Sequence, residues 1–407
     1  MPKNRRKGAK LSSAQLEGWD LLGEFRAVLE KTTPSKRRVR PKGGPARLLS
    51  EEDYLCAFLF AQFNPVLDSM RGLCGCTKLR RVQQQVCSRP ISLGSFSEAQ
   101  AVFGYERLAE SFEMLVRENL RFGIAGLSPA QKPPPILNLV DSSVFKALPR
   151  MAWAEWRHQN TTQRAVRLHL LFNVFDGEPS RALVTEGRRC ERKAFAEMTS
   201  EGGFYVGDRY YGRDYQFLNA LAEGGCGFIF RLCENATVTV HEDLPLDDED
   251  RAAGVVPDQI VRLGSPDYLH PGLVRVVRIE KPELDEPLIL VTNQLDREAF
   301  SAALLAEIYR QRWAIELFFR WIKCIFARPE QWHWFAESPE GVQIQIYLEG
   351  VQIQIYLALI AAVLLTRRLG RLPSRRCMEM LRFHAMGMAD DDELAAFLEG
   401  ETRKKPL

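Results

Sequence analysis

Residues 136–143 read Ile136-Leu137-Asn138-Leu139-Val140-Asp141-Ser142-Ser143, an apolar run that stops at a carboxylate and two hydroxyls. Just upstream lies Ser128-Pro129-Ala130-Gln131-Lys132-Pro133-Pro134-Pro135. That stretch cannot carry a helix, because proline lacks the amide donor and restricts the residue before it. A boundary therefore falls here, and a strand closed by Asp141 opens the next module.

Downstream, Val166, Leu168, Leu170, Phe172 and Val174 alternate along a second strand. It turns at Asp176-Gly177 into Ser180–Thr185, which predicts a hairpin. A helix over Arg192–Met198, a strand Phe204-Tyr205-Val206 ending at Gly207-Asp208, a helix over Asp214–Ala222 closed by Gly224-Gly225, and a strand over Gly227–Leu232 follow. This order predicts a mixed α/β sheet over 134–233. Residues 234–295 break the rhythm with β-rich pieces around the acidic Asp247-Asp248-Glu249-Asp250, which predicts a β-rich insertion. From Asp296 to about Phe326 a helical period returns without Pro or Gly, so 296–370 is expected to complete the sheet module.

Upstream of the prolines, residues 50–127 read as a helical domain, with Ser95 to Glu98 forming a capping-box pattern. Residues 371–407 read as a helical tail. Met1 to Leu49 carries thirteen Lys/Arg against four acids and forms a basic arm, although the whole chain of 407 residues has a net charge of only +3. Such an arm attracts phosphates through counterion release, which points to nucleic acid. A hydrophobic fraction of 46% excludes whole-chain disorder. The longest apolar run, Tyr356 to Leu365, falls short of the ~20 residues of a membrane span. The expectation is a cytoplasmic protein with a buried helix and no membrane partner. Nine Cys occur without zinc-ligand spacing and are expected to be reduced structural thiols.

With Tyr309 at zero on a helical wheel, Arg312 falls at about 300°, Glu316 at about 340° and Lys323 at about 320°, one stripe roughly 60° wide. Ile308, Ile315, Phe318 and Ile322 occupy the opposite side, so the polar stripe can face a ligand. A phenol, a guanidinium, a carboxylate and an ammonium in line suit a phosphodiester beside a metal ion. Taken alone, the stripe is better explained as a solvated face with Glu316 paired to Arg312 or Arg320 at i,i+4 spacing, since single helical pairs are common. Asp141 and Asp208, each after a strand in an α/β sheet, add two carboxylates where sites form, though Asp also commonly caps turns there. Three such acids can hold two Mg²⁺ or Mn²⁺ ions ~3.5 to 4 Å apart, the arrangement for phosphodiester hydrolysis and strand transfer. Trp153, Trp156, Arg157, His158 and Arg164 make a basic aromatic loop suited to stacking on bases, with core packing of the two Trp an open alternative.

The pattern Tyr309-x2-Arg312-x3-Glu316-x6-Lys323, with Asp141 and Asp208 upstream, resembles the signature of bacterial cut-and-paste DDE transposases, most closely the insertion sequence 4 group. The resemblance covers most of residues 50 to 370, including Ser92-Leu93-Gly94-Ser95 and the β insertion between the second and third acids. It implies an RNase H-like catalytic domain in which Asp141, Asp208 and Glu316 bind divalent metals. It also implies that Tyr309, Arg312 and Lys323, with Arg320 beside them, hold transposon-end DNA. Expected partners are transposon ends, target DNA and a second copy of the chain. The alternatives are an RNase H-like nuclease without strand transfer and an inactive DNA-binding remnant. Relatives that release the element through a DNA hairpin stack a base on a Trp in the β insertion, whereas the seven Trp here lie outside 209–308. Tyr210 follows Asp208-Arg209 where many relatives carry Gly.

Glu340 to Leu348 reads EGVQIQIYL, and Glu349 to Leu357 repeats it unchanged. A recent in-frame duplication is the simplest account. Within a helix, nine extra residues add about 900° of rotation, a net half turn, and ~13.5 Å of length, so one helix cannot keep both flanks in register. The second copy is expected to keep the native packing against Ala358 to Leu365, with the first extending the helix or bulging out.

Overall fold

A computed structural model of the chain describes residues 21–34, 49–64, 66–67, 69–100, 102–117, 137–146, 155–158, 161–325, 344–369, 373–385 and 388–402. The chain divides into two compact units: Met1–Asn119, Lys146–Val166 and Phe318–Leu407 in one, Leu120–Phe145 and Arg167–Leu317 in the other.

In chain order the described helices begin with α1 (Leu21–Glu30), α2 (Glu51–Phe63), α3 (Met70–Cys76), α4 (Arg80–Gln85), α5 (Leu93–Gln100) and α6 (Glu106–Arg117). Strands β1 (Leu137–Lys146), β2 (Glu155–His158), β3 (Thr161–Asn173) and β4 (Glu178–Glu186) precede α7 (Glu191–Met198), β5 (Phe204–Gly207), α8 (Tyr215–Glu223) and β6 (Gly227–Arg231). Then come β7 (Val238–Asp243), α9 (Asp248–Ala252), β8 (Val255–Ser265), β9 (Tyr268–Leu269), β10 (Val274–Ile279) and β11 (Leu288–Thr292). Helices α10 (Ala302–Arg310), α11 (Trp313–Ile325), α12 (Ile344–Leu369), α13 (Arg375–Ala385) and α14 (Asp391–Thr402) close the described chain.

The first unit is built around α12, which packs against α1, α2, α5 and α6. Residues Gly350 to Thr366 are buried on every side of the helix, as expected of an all-round apolar helix in the middle of a bundle. By length and composition alone Gly350–Arg367 could cross a membrane, yet 94% of it is buried inside the protein. Tyr356 stacks on Tyr105 with ring centroids 5.8 Å apart, and the Gln62 side-chain amide donates to the Gln354 carbonyl at 3.0 Å. These contacts all use the second copy of the nonapeptide. Ile344 to Leu348 of the first copy continue the same helix, and 340–343 lie outside the described residues. The described cysteines are free thiols.

The second unit is α/β. Its strands run in the order β3-β1-β5-β6-β11-β10-β8-β7, with β4 beside β3 and β9 beside β8. The expected hairpin forms: Gly177 takes a φ of 65°, and the Asn173 side chain accepts from the Phe175 amide at 2.8 Å. Strands β1, β5 and β6 are parallel neighbours, while β6, β11, β10, β8 and β7 are antiparallel in turn. Residues 238–292 thus continue the same sheet outward from β6. An apolar core of Val140, Phe195, Tyr205, Tyr211, Phe228 and Phe230 fills one face, with the Phe195 ring 5.0 Å from Tyr205 and 5.4 Å from Tyr211. Helix α10 packs on β5 and β6.

Two local features differ from expectation. Strand β1 does not stop at Asp141 but runs on to Lys146, past the end of β5. The helix expected over 296–326 is interrupted. Asp296 Oδ1 accepts from the Glu298 and Ala299 amides in a turn, and Ser301 caps α10 by accepting from the Leu304 amide at 3.1 Å. At 309–315 the bonds tighten to i→i−3, from Arg312 N to Tyr309 O at 3.0 Å and from Ala314 N to Gln311 O at 2.9 Å, which separates α10 from α11. No Gly or Pro marks this junction; it is a change of hydrogen-bond pitch, invisible to residue type.

Candidate active site

The register of β1 and β5 places the two aspartates. Leu137 pairs with Phe204, Asn138 with Tyr205 and Leu139 with Val206. Counted two residues on from that register, Asp141 of β1 falls level with Asp208, the first residue after β5. Neighbouring strands lie about 4.8 Å apart. Alternation sends Asp141 to the face of Leu137 and Leu139, opposite the core face of Val140. Two glycines allow this approach. A Cβ on Gly207 would sit 2.8 Å from Val140 Cγ1, and one on Gly212 would sit 2.3 Å from the Arg231 carbonyl oxygen. The first lets β5 close on β1; the second folds the loop after Asp208 onto β6.

The electrostatics follow from that closeness. Asp141 is pushed up to about 7, first by burial and then by the charges of Asp208 and Glu191; the Ser142 amide and the Arg312 guanidinium pull the other way. The Ser142 amide donates to Asp141 Oδ1 at 2.7 Å, and the Tyr210 amide donates to Asp208 Oδ1 at 2.9 Å. Burial raises the Tyr309 phenol above its ordinary range, with Arg312, Arg231 and Asp208 as its charged neighbours. Arg312 lies at the junction of α10 and α11, its guanidinium carbon 5.8 Å from the Tyr309 ring centroid.

Glu316 is held by Arg312, with Arg312 Nη2 to Glu316 Oε1 at 2.6 Å and the two side chains 22% and 30% exposed. The i,i+4 pair allowed by the sequence is therefore formed. Arg312 pairs with Glu316 and also feels the charge of Asp141, so one guanidinium is attracted by both the helix-borne and the strand-borne acid. Among the described residues no three His, Cys, Asp or Glu side chains gather closely enough to hold a metal ion.

The remaining expected residues fall elsewhere. Arg320 and Lys323 are exposed on α11 and belong to the first unit. Trp156 and Arg157 lie on β2, their backbones paired with Gln163 and Thr162 of β3. Trp153 lies outside the described residues. The sequence reading missed Arg167, Glu191 and Arg192, which surround the aspartates; nothing in residue type or spacing distinguishes them from surface charges.

A family model described as Transposase DDE domain matches residues 132–364. A relative from Geobacillus stearothermophilus named "Probable transposase for insertion sequence element IS5377" is 28% identical over 192 residues, 47% of this chain and 48% of that protein. A second bacterial relative, y4zB of Sinorhizobium fredii, also carries a transposase name and is 27% identical over 58% of this chain and 62% of its own length. This chain thus matches about half to three fifths of the length of these relatives. A solved complex, the cryo-EM structure of the piggyBac transposase synaptic complex with hairpin DNA, aligns with a TM-score of 0.43 at 10% identity, over 99% of this chain and 83% of that one.

Proposed function

Since the chain belongs to the transposase DDE-domain family, we propose that it is the DNA transposase of a bacterial insertion sequence of the insertion sequence 4 group, acting through an RNase H-like catalytic centre. The observation that carries the reading is the register of the parallel strands β1 and β5, which brings Asp141 level with Asp208 just past the end of β5, with Arg312 as a nearby cation and Glu316 paired to it.

Asp141, Asp208 and Glu316 would hold two divalent cations, Mg²⁺ or Mn²⁺. The fit rests on the donors: all are carboxylate oxygens, which suit a hard cation, and Asp141, pushed up first by burial and then by the neighbouring acids, is a buried carboxyl whose ionised form a cation would favour. Such ions supply activation of water or a 3′-hydroxyl and stabilisation of the leaving oxygen.

The chain's own groups do the rest. Glu316 would hold the cations in place of its present partner Arg312, whose guanidinium could then take a phosphate in a two-pronged hydrogen bond. Tyr309, only 8% exposed, fixes the Arg312 fork from behind. Lys323, Arg320, Arg157, Trp156 and Trp153 are assigned to DNA contact by charge and stacking. The basic arm and helical domain bind the terminal inverted repeats. Two protomers pair two ends, and the freed 3′ ends are joined to target DNA in the bacterial cytoplasm at the nucleoid.

A cleavage and joining assay on paired ends tests the whole reading. Joined product supports a transposase, cleavage alone a nuclease, and binding without either an inactive remnant. Glu316→Gln should keep DNA affinity in chelator and lose metal-dependent cutting, because that charge serves the ions and not the phosphates. Cutting at the wild-type rate would refute its role.

A further inference from the structure

The first two residues of α7 hold different partners, Glu191 bonding a residue of β3 and Arg192 the loop after Asp208. Glu191 pairs with Arg167 of β3. The same guanidinium donates from Nη1 to Ser142 Oγ at 3.1 Å and from Nε to the Gly187 carbonyl at 3.2 Å. Ser142 is the residue whose amide holds Asp141 Oδ1. On the other side, Arg192 donates from Nη1 to the Tyr210 carbonyl at 3.0 Å and meets Asp214 Oδ2 through Nε at 3.2 Å. Its guanidinium carbon lies 4.6 Å from the Tyr210 ring centroid. Tyr210 is the residue whose amide holds Asp208 Oδ1. The path Asp141, Ser142, Arg167, Glu191, Arg192, Tyr210, Asp208 is continuous, closed through one peptide link at the start of α7.

On the reading of Asp141 and Asp208 as the cation-binding acids, we propose that Glu191 and Arg192, with Arg167, are positioning residues that fix the spacing and aim of the two carboxylates. The physical need is plain. Two level carboxylates repel, β5 ends beside them, and the loop after Asp208 turns at once into a short 3-10 segment, Tyr211–Arg213. Without a brace the loop would relax away from β1. The brace is well placed to resist, since Arg167 and Glu191 are 11% and 21% exposed, shielded from the solvent that weakens surface pairs. Partners behind a ligating carboxylate orient it, and their loss typically costs ~10 to 100-fold in metal affinity or activity.

The test measures Mn²⁺ binding to the full chain without DNA, by titration calorimetry or electron paramagnetic resonance, beside kcat and KM for end cleavage. Arg192→Gln and Glu191→Gln should each weaken Mn²⁺ binding and lower kcat by about tenfold or more. KM and DNA affinity in chelator should stay at the wild-type level. Arg192→Lys, which retains the charge near Asp214, should recover part of the loss. If the wild type binds Mn²⁺ and both Gln variants, folded by circular dichroism, bind it equally and cut at the wild-type kcat, the inference is overturned while the acid-pair reading stands. If the wild type binds no Mn²⁺ and Asp141→Asn and Asp208→Asn change nothing, the acid-pair reading itself fails and this one with it. Should one variant misfold, the other arm, or Arg167→Lys, gives the same comparison.

Discussion

Replacing Asp141 with Asn should make the protein more stable at neutral pH. The carboxyl is pushed up to about 7 from an ordinary value of 3.8, chiefly by burial. Each pKa unit is about 1.36 kcal/mol, so the shift sets an upper bound of about 4 kcal/mol, and relaxation of the loop brings the expected figure to about 2 to 4 kcal/mol. The sign follows from proton counting. Below the unfolded value both states hold the proton and the group costs nothing. As pH rises from 3.8 toward 7 the unfolded chain ionises while the folded one resists, so stability falls; above 7 the cost is constant.

Asn has almost the same shape, can still accept from the Ser142 amide, and has no charge to desolvate. Isothermal urea unfolding of wild type and Asp141→Asn at pH 4.5, 6 and 8 should give a gap that is small at the lowest pH and widens to its full value at pH 8. Millimolar Mg²⁺ should narrow the gap at pH 8, since a cation bound only by the folded wild type stabilises it by mass action. A gap independent of pH, or an Asn variant less stable at pH 8, would refute the argument that Asp141 carries unrelieved charge.

Three further outcomes are expected. Arg275 and Asp258 form a fully buried pair, Nε to Oδ1 at 2.7 Å and Nη2 to Oδ2 at 2.6 Å, so Asp258→Ala should cost about 3 to 5 kcal/mol in urea unfolding. Gly212→Ala would push a Cβ against the Arg231 carbonyl, and should lower both stability and end cleavage, as thermal melting and the cleavage assay would read. Deleting one copy of EGVQIQIYL, which gives the same chain whichever copy is removed, should leave Tm unchanged or higher, because the packed contacts belong to Gly350 to Thr366; a fall of more than about 5 °C would contradict this.

Much of the sheet was legible because its strands obey local rules. The stretch from Leu137 to Val140, the alternation over Val166 to Val174 and the Asp176-Gly177 turn announce themselves through burial period and turn chemistry, and the structure places strands or turns at each. The all-round apolar run at Tyr356 to Leu365 could be recognised as a core helix for the same reason. What local rules could not reach was pairing. Nothing in Leu288 to Thr292 says that it joins β6, so a stretch that breaks the rhythm along the chain continues the sheet in space. Nor does any residue between Asp296 and Phe326 declare the pitch change at Gln311-Arg312, where apolar spacing stays helical on both sides.

The site shows the same division more sharply. Asp141 and Asp208 could be picked out because each follows an apolar strand in an α/β sheet, where sites form, and a third acid stands on the helical stripe. Their being level depends on a register, and register is a property of two segments that neither carries alone. The wheel that aligned Tyr309, Arg312 and Glu316 assumed one uninterrupted helix. Across the pitch change Arg312 still pairs with Glu316, and Tyr309 is buried with its ring centroid 5.8 Å from the Arg312 guanidinium carbon, while Glu316 and Lys323 share α11. Glu191 and Arg192 were out of reach for a further reason. A Glu-Arg pair at a helix start is an ordinary solvated pair by composition, and it becomes a link between two aspartates 67 residues apart only once parallel pairing at a 67-residue offset, 137 with 204, has brought both strand ends to it. Charges that act through geometry carry no signature in sequence, whereas charges that act through periodicity do.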